Sequence, residues 1–227
     1  MLKNYGIILA SGSGSRFGSE IPKQFMMLDN KTILEYSIDT FENSDSINEI
    51  ILIVTPSYLN EVKKIVNNNK YTKVSKILAG GETRKDSSYI GISAIEDNEA
   101  NVLIHDCARP LLSEKIIEAC TKSLEIYEAV DVAIPTTDTI LEIKDGIIKS
   151  IPERKNLMSS QTPQCFRLSL IKKAHELSKN DKSFTDDCGL VLKHDLAKIH
   201  IVEGEFKNFK ITYPFDIKYA EILLESQ

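Results

Sequence analysis

Short continuous apolar runs alternate along residues 1–135 with amphipathic segments of helical period. An apolar run between polar residues predicts a buried strand, and alternation with helices predicts a parallel sheet covered on both faces. The predicted strands are 5–10, 49–54, 73–78, 102–105 and 130–134, and the predicted helices are 32–43, 57–68, 83–96 and 113–127. Ser57 and Ser113 are predicted helix caps. The pattern predicts an α/β fold with a doubly wound, mostly parallel, Rossmann-like sheet.

The pattern changes after residue 137. Alternating apolar and polar positions flank Asp145-Gly146, a strong signal for a β-hairpin. An isolated hairpin has little core, so we expect an arm at about 137–160 to pack on something else, such as a second copy of the chain. Helices near 167–178 and 187–194, strands near 197–203 and 208–212, and a last helix from Pro214 are predicted beyond it. We expect one domain, 1–227, with an inserted arm.

A glycine-rich loop, GSGSRFG at 12–18, directly follows the first predicted strand. Such loops let backbone N–H groups approach an anion closely. Arg16 and Lys23 add two cations, so the combination indicates a polyphosphate ligand. The glycine spacing departs from the dinucleotide fingerprint, because Phe17 stands at the third glycine position, and the loop lacks the Gly-Lys-Ser/Thr end of a P-loop. An ordinary strand-to-helix turn remains the alternative.

The composition of the chain disfavours some classes of binding partner. The chain has 227 residues, 42% hydrophobic and 27% charged, with a formal net charge of −5. This charge disfavours nucleic-acid binding, which relies on a basic face. No apolar run reaches the ~20 residues of a membrane span. The four cysteines lack metal-ligand spacing, and no secretion signal is recognisable, so we expect a cytoplasmic protein with reduced thiols.

Two further motifs follow predicted strands on the edge where the glycine loop lies. In His105-Asp106-Cys-Ala-Arg109-Pro110, Asp106 is suited to hold Mg²⁺ together with phosphate oxygens; the alternative is a structural pair of Asp106 with Arg109. In 80–87, GGETRKDS, a helix N-terminus with Ser87 is suited to a nucleobase, and a plain capped turn is the alternative. No nucleophile-elbow context is present.

The ordered motifs together resemble the cytidylyltransferases of the methylerythritol-phosphate and ribitol-phosphate type. The resemblance extends from Ile7 to about Leu224. Its motifs are GSGSRFG, PKQF, GGETRxDS, HDxARP, DTI, QTPQxF, TDD and KITxP. It implies a fold of the nucleotide-diphospho-sugar transferase type, transfer of CMP from CTP to a sugar-alcohol phosphate with Mg²⁺, and a homodimer formed through the hairpin arm.

The resemblance also implies roles for individual residues. Catalytic roles at the α-phosphate and the leaving pyrophosphate fall on Arg16, Lys23 and Lys210. Nucleotide contacts fall on Ala10, Ser11, Gly12, Gly14, Gly81, Glu82, Ser87 and Asp106, of which Asp106 is also the candidate metal ligand. Contacts to the acceptor fall on Arg109, Thr139, Arg154 and Thr185, with Thr139 and Arg154 acting on the neighbouring subunit's site.

The acceptor is less clearly marked. The motif GGETRKDS, Leu157 and the TDD motif favour methylerythritol phosphate, whereas Leu9 and the segment 213–216, YPFD, favour ribitol phosphate. Ser11 and Met158 depart from both patterns. We expect 2-C-methyl-D-erythritol 4-phosphate, with ribitol 5-phosphate as the alternative. A nicotinamide-dependent dehydrogenase and an inactive nucleotide sensor are the competing interpretations from other classes; fold alone does not separate them.

Overall fold

The residues that the structure describes form one large sheet of eight strands, most of them parallel. The computed structural model describes residues 2–12, 21–97, 99–181, 184 and 186–225. The twelve strands in chain order are β1 Lys3–Ala10, β2 Met27–Leu28, β3 Lys31–Thr32, β4 Glu49–Val54, β5 Val74–Ala79, β6 Ala100–Asp106, β7 Ala129–Pro135, β8 Glu142–Lys144, β9 Ile147–Ser150, β10 Met158–Ser160, β11 Gln164–Arg167 and β12 Ile199–Glu203. In the large sheet β12, β7, β6, β1, β4 and β5 run parallel. The antiparallel strand β11 lies between β7 and β6, and β10 pairs antiparallel with β7.

Helices cover both faces of this sheet. They are α1 Ile33–Asn43, α2 Leu59–Asn68, α3 Arg84–Ser93, α4 Glu114–Ser123, α5 Leu168–Leu177, α6 Asp187–Lys193 and α7 Pro214–Glu225. One core packs α1, α2, α4 and α7 against one face, and a second packs α3, α5 and α6 against the other. Because β1 is covered on both sides, its successive residues Ile7 and Ile8 enter different cores. The predicted doubly wound α/β fold is confirmed.

Local sequence signals fix several helix starts. Thr32 and Glu35 form a capping box at α1, Thr83 and Asp86 form one at α3, and Ser113 accepts a bond from the backbone at the start of α4. The predicted cap at Ser57 is wrong. That residue lies inside a 3₁₀ turn that precedes α2, without a side-chain cap.

The hairpin arm is formed by β8 and β9. Asp145 and Gly146 both have positive φ, 52° and 79°, as a two-residue type I′ turn requires, so the predicted hairpin is confirmed. The two strands form a sheet of their own. The arm leaves large apolar side chains in solvent: Ile143 is 65% exposed and Ile147 is 72% exposed.

The predicted strand at 208–212 is wrong. This segment is irregular, because its backbone bonds go to a loop and a side chain rather than to a neighbouring strand. The Ile211 N–H donates to the Ala108 carbonyl, and the Ile211 carbonyl accepts from Lys23 Nζ. Alternation of Phe209 and Ile211 against the core produced the strand-like pattern. The consequence is a rigid loop beside the end of β6.

Candidate functional site

The candidate site lies at the carboxyl edge of the parallel strands. The predicted glycine loop follows β1, Gly80 and Gly81 follow β5, and Asp106 ends β6. Parallel strands place these three ends on one edge, where ligands of open α/β sheets bind. The tertiary fold adds the irregular segment 208–212 to the same edge through the bond from Ile211 to Ala108.

Asp106 is the electrostatic centre of this edge. Arg84 Nε lies 2.9 Å from Asp106 Oδ1, and Lys210 Nζ lies 2.6 Å from Asp106 Oδ2. Burial by itself would raise the pKa of Asp106, but the charges of Arg84 and Lys210 outweigh it and hold the pKa well below its usual range. Asp106 is therefore an ionised, buried carboxylate with two cationic partners.

A second buried carboxylate, Asp187, binds the other side of Arg84. Arg84 NH1 lies 2.7 Å from Asp187 Oδ2, while Ser88 Oγ and His175 Nε2 donate to Asp187 Oδ1 at 2.6 and 2.9 Å. Burial would raise the pKa of Asp187, but Arg84 and His175 lower it to about 2. The guanidinium thus joins two carboxylates that are fixed on different elements, β6 and α6.

His105 is a buried imidazole that supports the end of β6. The backbone N–H of Asp106 donates to Thr162 Oγ1, and Thr162 Oγ1 lies 3.0 Å from His105 Nδ1. His105 Nε2 lies 3.1 Å from the Arg109 carbonyl, which only accepts, so the imidazole carries its proton on Nε2. Burial lowers the pKa of His105 to about 4, and the ring is neutral at pH 7.

Three of the predicted cationic residues belong to the segment 208–212 or bond to it. Lys210 binds Asp106, Lys23 Nζ donates to the Ile211 carbonyl at 2.7 Å, and Arg109 NH1 donates to the Asn208 carbonyl at 2.9 Å. Asn208 is fully buried and anchors the segment through Nδ2, which donates to Gln161 and Thr162. The segment 208–212 therefore contains Lys210 and accepts hydrogen bonds from Lys23 and Arg109.

Residues predicted to contact the nucleobase meet one from the loop predicted to contact the triphosphate. Ser11 Oγ lies 2.8 Å from Ser87 Oγ, and the Gly81 N–H donates to Ser87 Oγ at 3.1 Å. Gly80 is required by this packing, because a Cβ added there would lie 2.2 Å from Ser11 Cβ and 3.0 Å from Ser87 Oγ. Glu82 is exposed at the rim beside them.

Gly80→Ala is expected to damage this pocket with little effect elsewhere. The new methyl group must push Ser11 away from Ser87, so we expect the KM for the nucleotide to rise by about 10-fold, as overpacking costs of 1–3 kcal/mol imply. Steady-state kinetics measures it. Gly12→Ala is the control for stability, because a Cβ there meets no described atom within 4 Å and the melting temperature should stay unchanged. Equal KM in Gly80→Ala and the unaltered protein would contradict the packing argument.

The remaining predicted residues are placed less centrally or fall outside the described chain. Arg154 NH2 donates to Thr139 Oγ1 at 3.2 Å, both on the exposed arm. Within the described residues neither bonds to Asp106 or Lys210. Arg16, Gly14 and Thr185 lie outside the described residues.

Gln24 is a supporting residue that the sequence interpretation missed. Its Nε2 donates to the carbonyls of Ala10 and Gly12 at 2.7 and 3.2 Å, and it also lies 3.3 Å from Thr55 Oγ1. Gln24 therefore holds the end of β1 and the start of the glycine loop. The only sequence signal was its place in the PKQF motif, directly after Lys23.

Comparison with known proteins identifies the family. The sequence model of "IspD: 2-C-methyl-D-erythritol 4-phosphate cytidylyltransferase" matches residues 5–226, almost the whole chain. The chain belongs to this cytidylyltransferase family. Members are CTP-dependent nucleotidyltransferases, which agrees with the cation cluster around Asp106. The dehydrogenase interpretation is thereby excluded.

Individual relatives agree with this assignment. The chain is 38% identical to the 2-C-methyl-D-erythritol 4-phosphate cytidylyltransferase of Thermobifida fusca over 96% of this chain and 92% of the relative. It is 39% identical to that of Clostridium botulinum strain Loch Maree over 99% of both. It is also 40% identical, over 99% of its own length, to the Haemophilus influenzae bifunctional ribulose 5-phosphate reductase/CDP-ribitol pyrophosphorylase, of which it spans only 49%.

Solved structures agree with the fold of this cytidylyltransferase. The 4-diphosphocytidyl-2C-methyl-D-erythritol synthase of Anaerococcus prevotii superposes with a TM-score of 0.87 at 31% identity, covering 99% of both chains. The Francisella tularensis cytidylyltransferase superposes with a TM-score of 0.78 at 29% identity over 97% of this chain and 99% of the other.

Among the described residues, none of the helices is long and apolar enough to cross a membrane.

Proposed function

We propose that the protein transfers CMP from CTP to 2-C-methyl-D-erythritol 4-phosphate and releases pyrophosphate. The observation that carries the proposal is the ionised Asp106 between Arg84 and Lys210, with Lys23 bonded to the residue next to Lys210. A site that handles a triphosphate and a phosphomonoester needs such cations on one edge, since developing charge on phosphoryl oxygens must be neutralised.

The nucleotide contacts follow from the positions of the loops. The glycine loop after β1 would receive the triphosphate, Asp106 the ribose, and the pocket after β5 the cytosine. The residues assigned to these contacts are Ala10, Ser11, Gly12, Gly14, Gly81, Glu82, Ser87 and Asp106. Support comes from the Ser11–Ser87 contact and from the Gly81 N–H bond to Ser87, which bring the end of β1 and the turn after β5 together.

The reaction requires positioning and charge neutralisation. A phosphate oxygen of the acceptor attacks the α-phosphorus in line, a new P–O bond forms, and the bond to the bridging oxygen of the β-phosphate breaks, so pyrophosphate leaves with the bonding pair. Lys210 would bridge the two reacting phosphates after it leaves Asp106. Arg16 and Lys23 would neutralise the α-phosphate and the pyrophosphate.

Asp106 fits a divalent cation, Mg²⁺ in particular. Among the described residues, no group of three or more acidic, histidine or cysteine side chains is arranged to hold a metal ion. Magnesium in nucleotide sites needs only one or two carboxylates, because phosphate oxygens and water supply the other ligands. A single ionised carboxylate at the strand end meets this requirement, and a bound ion would supply additional positive charge to the phosphates.

The acceptor is assigned to Arg109, Thr139, Arg154 and Thr185. Arg109 donates to the carbonyl of Asn208, two positions before Lys210, and its Nε is buried without a hydrogen-bond partner in the described chain, which leaves a donor for a phosphate. Sequence identity does not decide between the two acceptors, because the relative named a CDP-ribitol pyrophosphorylase is as similar to this chain as the methylerythritol-phosphate relatives are. Ribitol 5-phosphate is therefore the second candidate. The family model and the structural neighbours favour methylerythritol phosphate.

Pyrophosphate release measured with CTP, Mg²⁺ and a panel of polyol phosphates tests this function. We expect kcat/KM for 2-C-methyl-D-erythritol 4-phosphate to exceed that for ribitol 5-phosphate by at least about 10², the discrimination that a site built around hydroxyl contacts provides. A reversed ratio would transfer the assignment to CDP-ribitol synthesis. No release with any acceptor would favour a nucleotide sensor.

Lys23→Ala is expected to lower kcat by about 10²-fold, the cost of one well-aimed donor in a charge-stabilising site. Lys23 is half-buried and its ammonium is already fixed on the Ile211 carbonyl, so it is preorganised for a phosphate. Lys31→Ala is the matched control, because Lys31 pairs with Asp39 on the surface of α1. Unfolding midpoints should remain close in both. Turnover near that of the unaltered protein in Lys23→Ala would remove the assignment.

We further propose a single domain, 1–227, that dimerises through the arm at about 137–160 and works in the cytoplasm, where CTP is supplied. Exposed isoleucines on an otherwise unsupported hairpin favour burial against a second copy.

Ile147→Asp should shift the protein from dimer to monomer in light scattering and lower turnover, because Thr139 and Arg154 would act on the neighbouring site. Ile126→Asp, at a 78% exposed position outside the arm, should leave the dimer intact. A monomeric unaltered protein would contradict the proposal.

A further inference from the structure

Arg84 lies between two buried carboxylates, whereas Lys210 binds only one of them. Its Nε binds Asp106 and its NH1 binds Asp187, at 2.9 and 2.7 Å. Lys210 reaches Asp106 from the other side, and its side chain is 36% exposed against 23% for Arg84. The two cations that bind Asp106 are therefore fixed to different degrees. Two carboxylates bind Arg84, whereas Lys210 binds only Asp106 among these groups and has a longer, partly exposed aliphatic chain.

Asp187 is itself fixed by its surroundings. It is fully buried, its backbone N–H donates to Gln164 Oε1, and its Oδ1 accepts from Ser88 and His175. It begins α6, which packs in the core of the sheet face opposite α1. Two side chains hold the Asp187 carboxylate, and a third bond holds the backbone of the same residue, so the guanidinium has a fixed anchor point.

We propose that Asp187 is a positioning residue for the transfer reaction, which holds Arg84 on Asp106 while Lys210 moves to the phosphates. This inference rests on the proposed function. Asp106 loses one cation when Lys210 moves, and a buried carboxylate without a cationic partner is costly. The anchored Arg84 keeps the Asp106 carboxylate in place throughout the reaction. Lysine is a poor replacement, because Arg84 binds the two carboxylates through two different nitrogens of a planar fork, which a single ammonium does not reproduce.

Asp187→Asn tests the anchor while the side-chain size is kept. The amide still accepts from His175 but no longer attracts the guanidinium. We expect kcat to fall by about 10-fold, with the KM of the acceptor nearly unchanged, because misplacement of a contacting group by a fraction of an ångström has effects of this order. Ser88→Ala is the matched control. It removes a bond to the same carboxylate, so it lowers stability, yet kcat should stay within about twofold.

A double-mutant cycle separates positioning from general damage. Arg84→Lys and Asp187→Asn act on one bridge, so the double variant should lose no more kcat than the worse single variant. Arg84→Lys together with Ser88→Ala should instead show additive losses. Full additivity between Arg84→Lys and Asp187→Asn, or a kcat of Asp187→Asn equal to that of Ser88→Ala, would overturn the proposal.

A ligand-free measurement keeps this test independent of the proposed function. The Arg84 Nε–H, observed by ¹⁵N NMR, should be protected from exchange in the unaltered protein and in Lys210→Ala. Protection should fall by about 10-fold or more in Asp187→Asn, a loss of about 1.4 kcal/mol in the opening free energy, and persist in Ser88→Ala. Unchanged protection in Asp187→Asn would refute the anchor. Absence of pyrophosphate release with normal NMR behaviour would refute only the proposed reaction.

Discussion

Lys210→Ala is expected to lower kcat by about 10²–10³-fold, the loss found when one donor is removed from a site that stabilises developing charge. Lys210 is the cation that can exchange between Asp106 and the reacting phosphates, since its ammonium is attached to a flexible stem and its side chain is partly exposed. Its loss removes charge from the transition state and a partner from Asp106. Pyrophosphate release under saturating CTP and acceptor measures the effect.

Lys207→Ala is the matched control for this variant. Lys207 lies three positions earlier on the same loop and pairs with Glu205 at 3.6 Å, away from Asp106. We expect its turnover to equal that of the unaltered protein. Equal activity of Lys210→Ala and Lys207→Ala would show that the ammonium at 210 contributes nothing to the transfer, and the assignment of Lys210 would be wrong.

Asp106→Asn is expected to lower kcat by about 10²-fold and to destabilise the fold at pH 7 by about 2 kcal/mol, because a buried group then loses two charged partners. The pKa of Asp106 is depressed in the folded state by Arg84 and Lys210, despite burial. A depressed pKa contributes stability above the unfolded value, about 3.9, and that contribution is lost as the pH falls below it.

The pH dependence provides the sharper measurement. Urea unfolding of the unaltered protein and of Asp106→Asn should show a difference in free energy that is constant above pH 5 and shrinks below pH 4. Glu118→Gln, which removes an exposed helical partner of Lys122, should show little difference at any pH and normal turnover. A difference between Asp106→Asn and the unaltered protein that grows on acidification would contradict the ion-pair description.

The central strands and the hairpin were predictable because their signals are local. β4 is a continuous apolar run with buried residues from Ile50 to Val54, and the Asp145-Gly146 turn requires positive φ at both positions. The prediction of a strand at 208–212 was wrong for a related reason. Its alternation is real, but no strand lies beside it, and its bonds to Ala108 and Lys23 come from residues distant in sequence.

The candidate site was predictable in part. Motif resemblance pointed to Lys23, Asp106 and Lys210, and the structure brings these groups together. The anchoring of Arg84 by Asp187 was not predictable. Those residues are separated by 103 positions and belong to α3 and α6, so only the packing of both helices on one sheet face brings them into contact.

By itself the sequence determined the order of strands and helices, the sharp hairpin turn, and the family, because these depend on neighbouring residues and ordered motifs. The tertiary structure decided which charges meet. The parallel order β6, β1, β4, β5 places the ends of these strands on one edge, and the fold brings Lys210 across 104 positions to Asp106. Electrostatic partners depend on distances through space, and sequence spacing does not encode those distances.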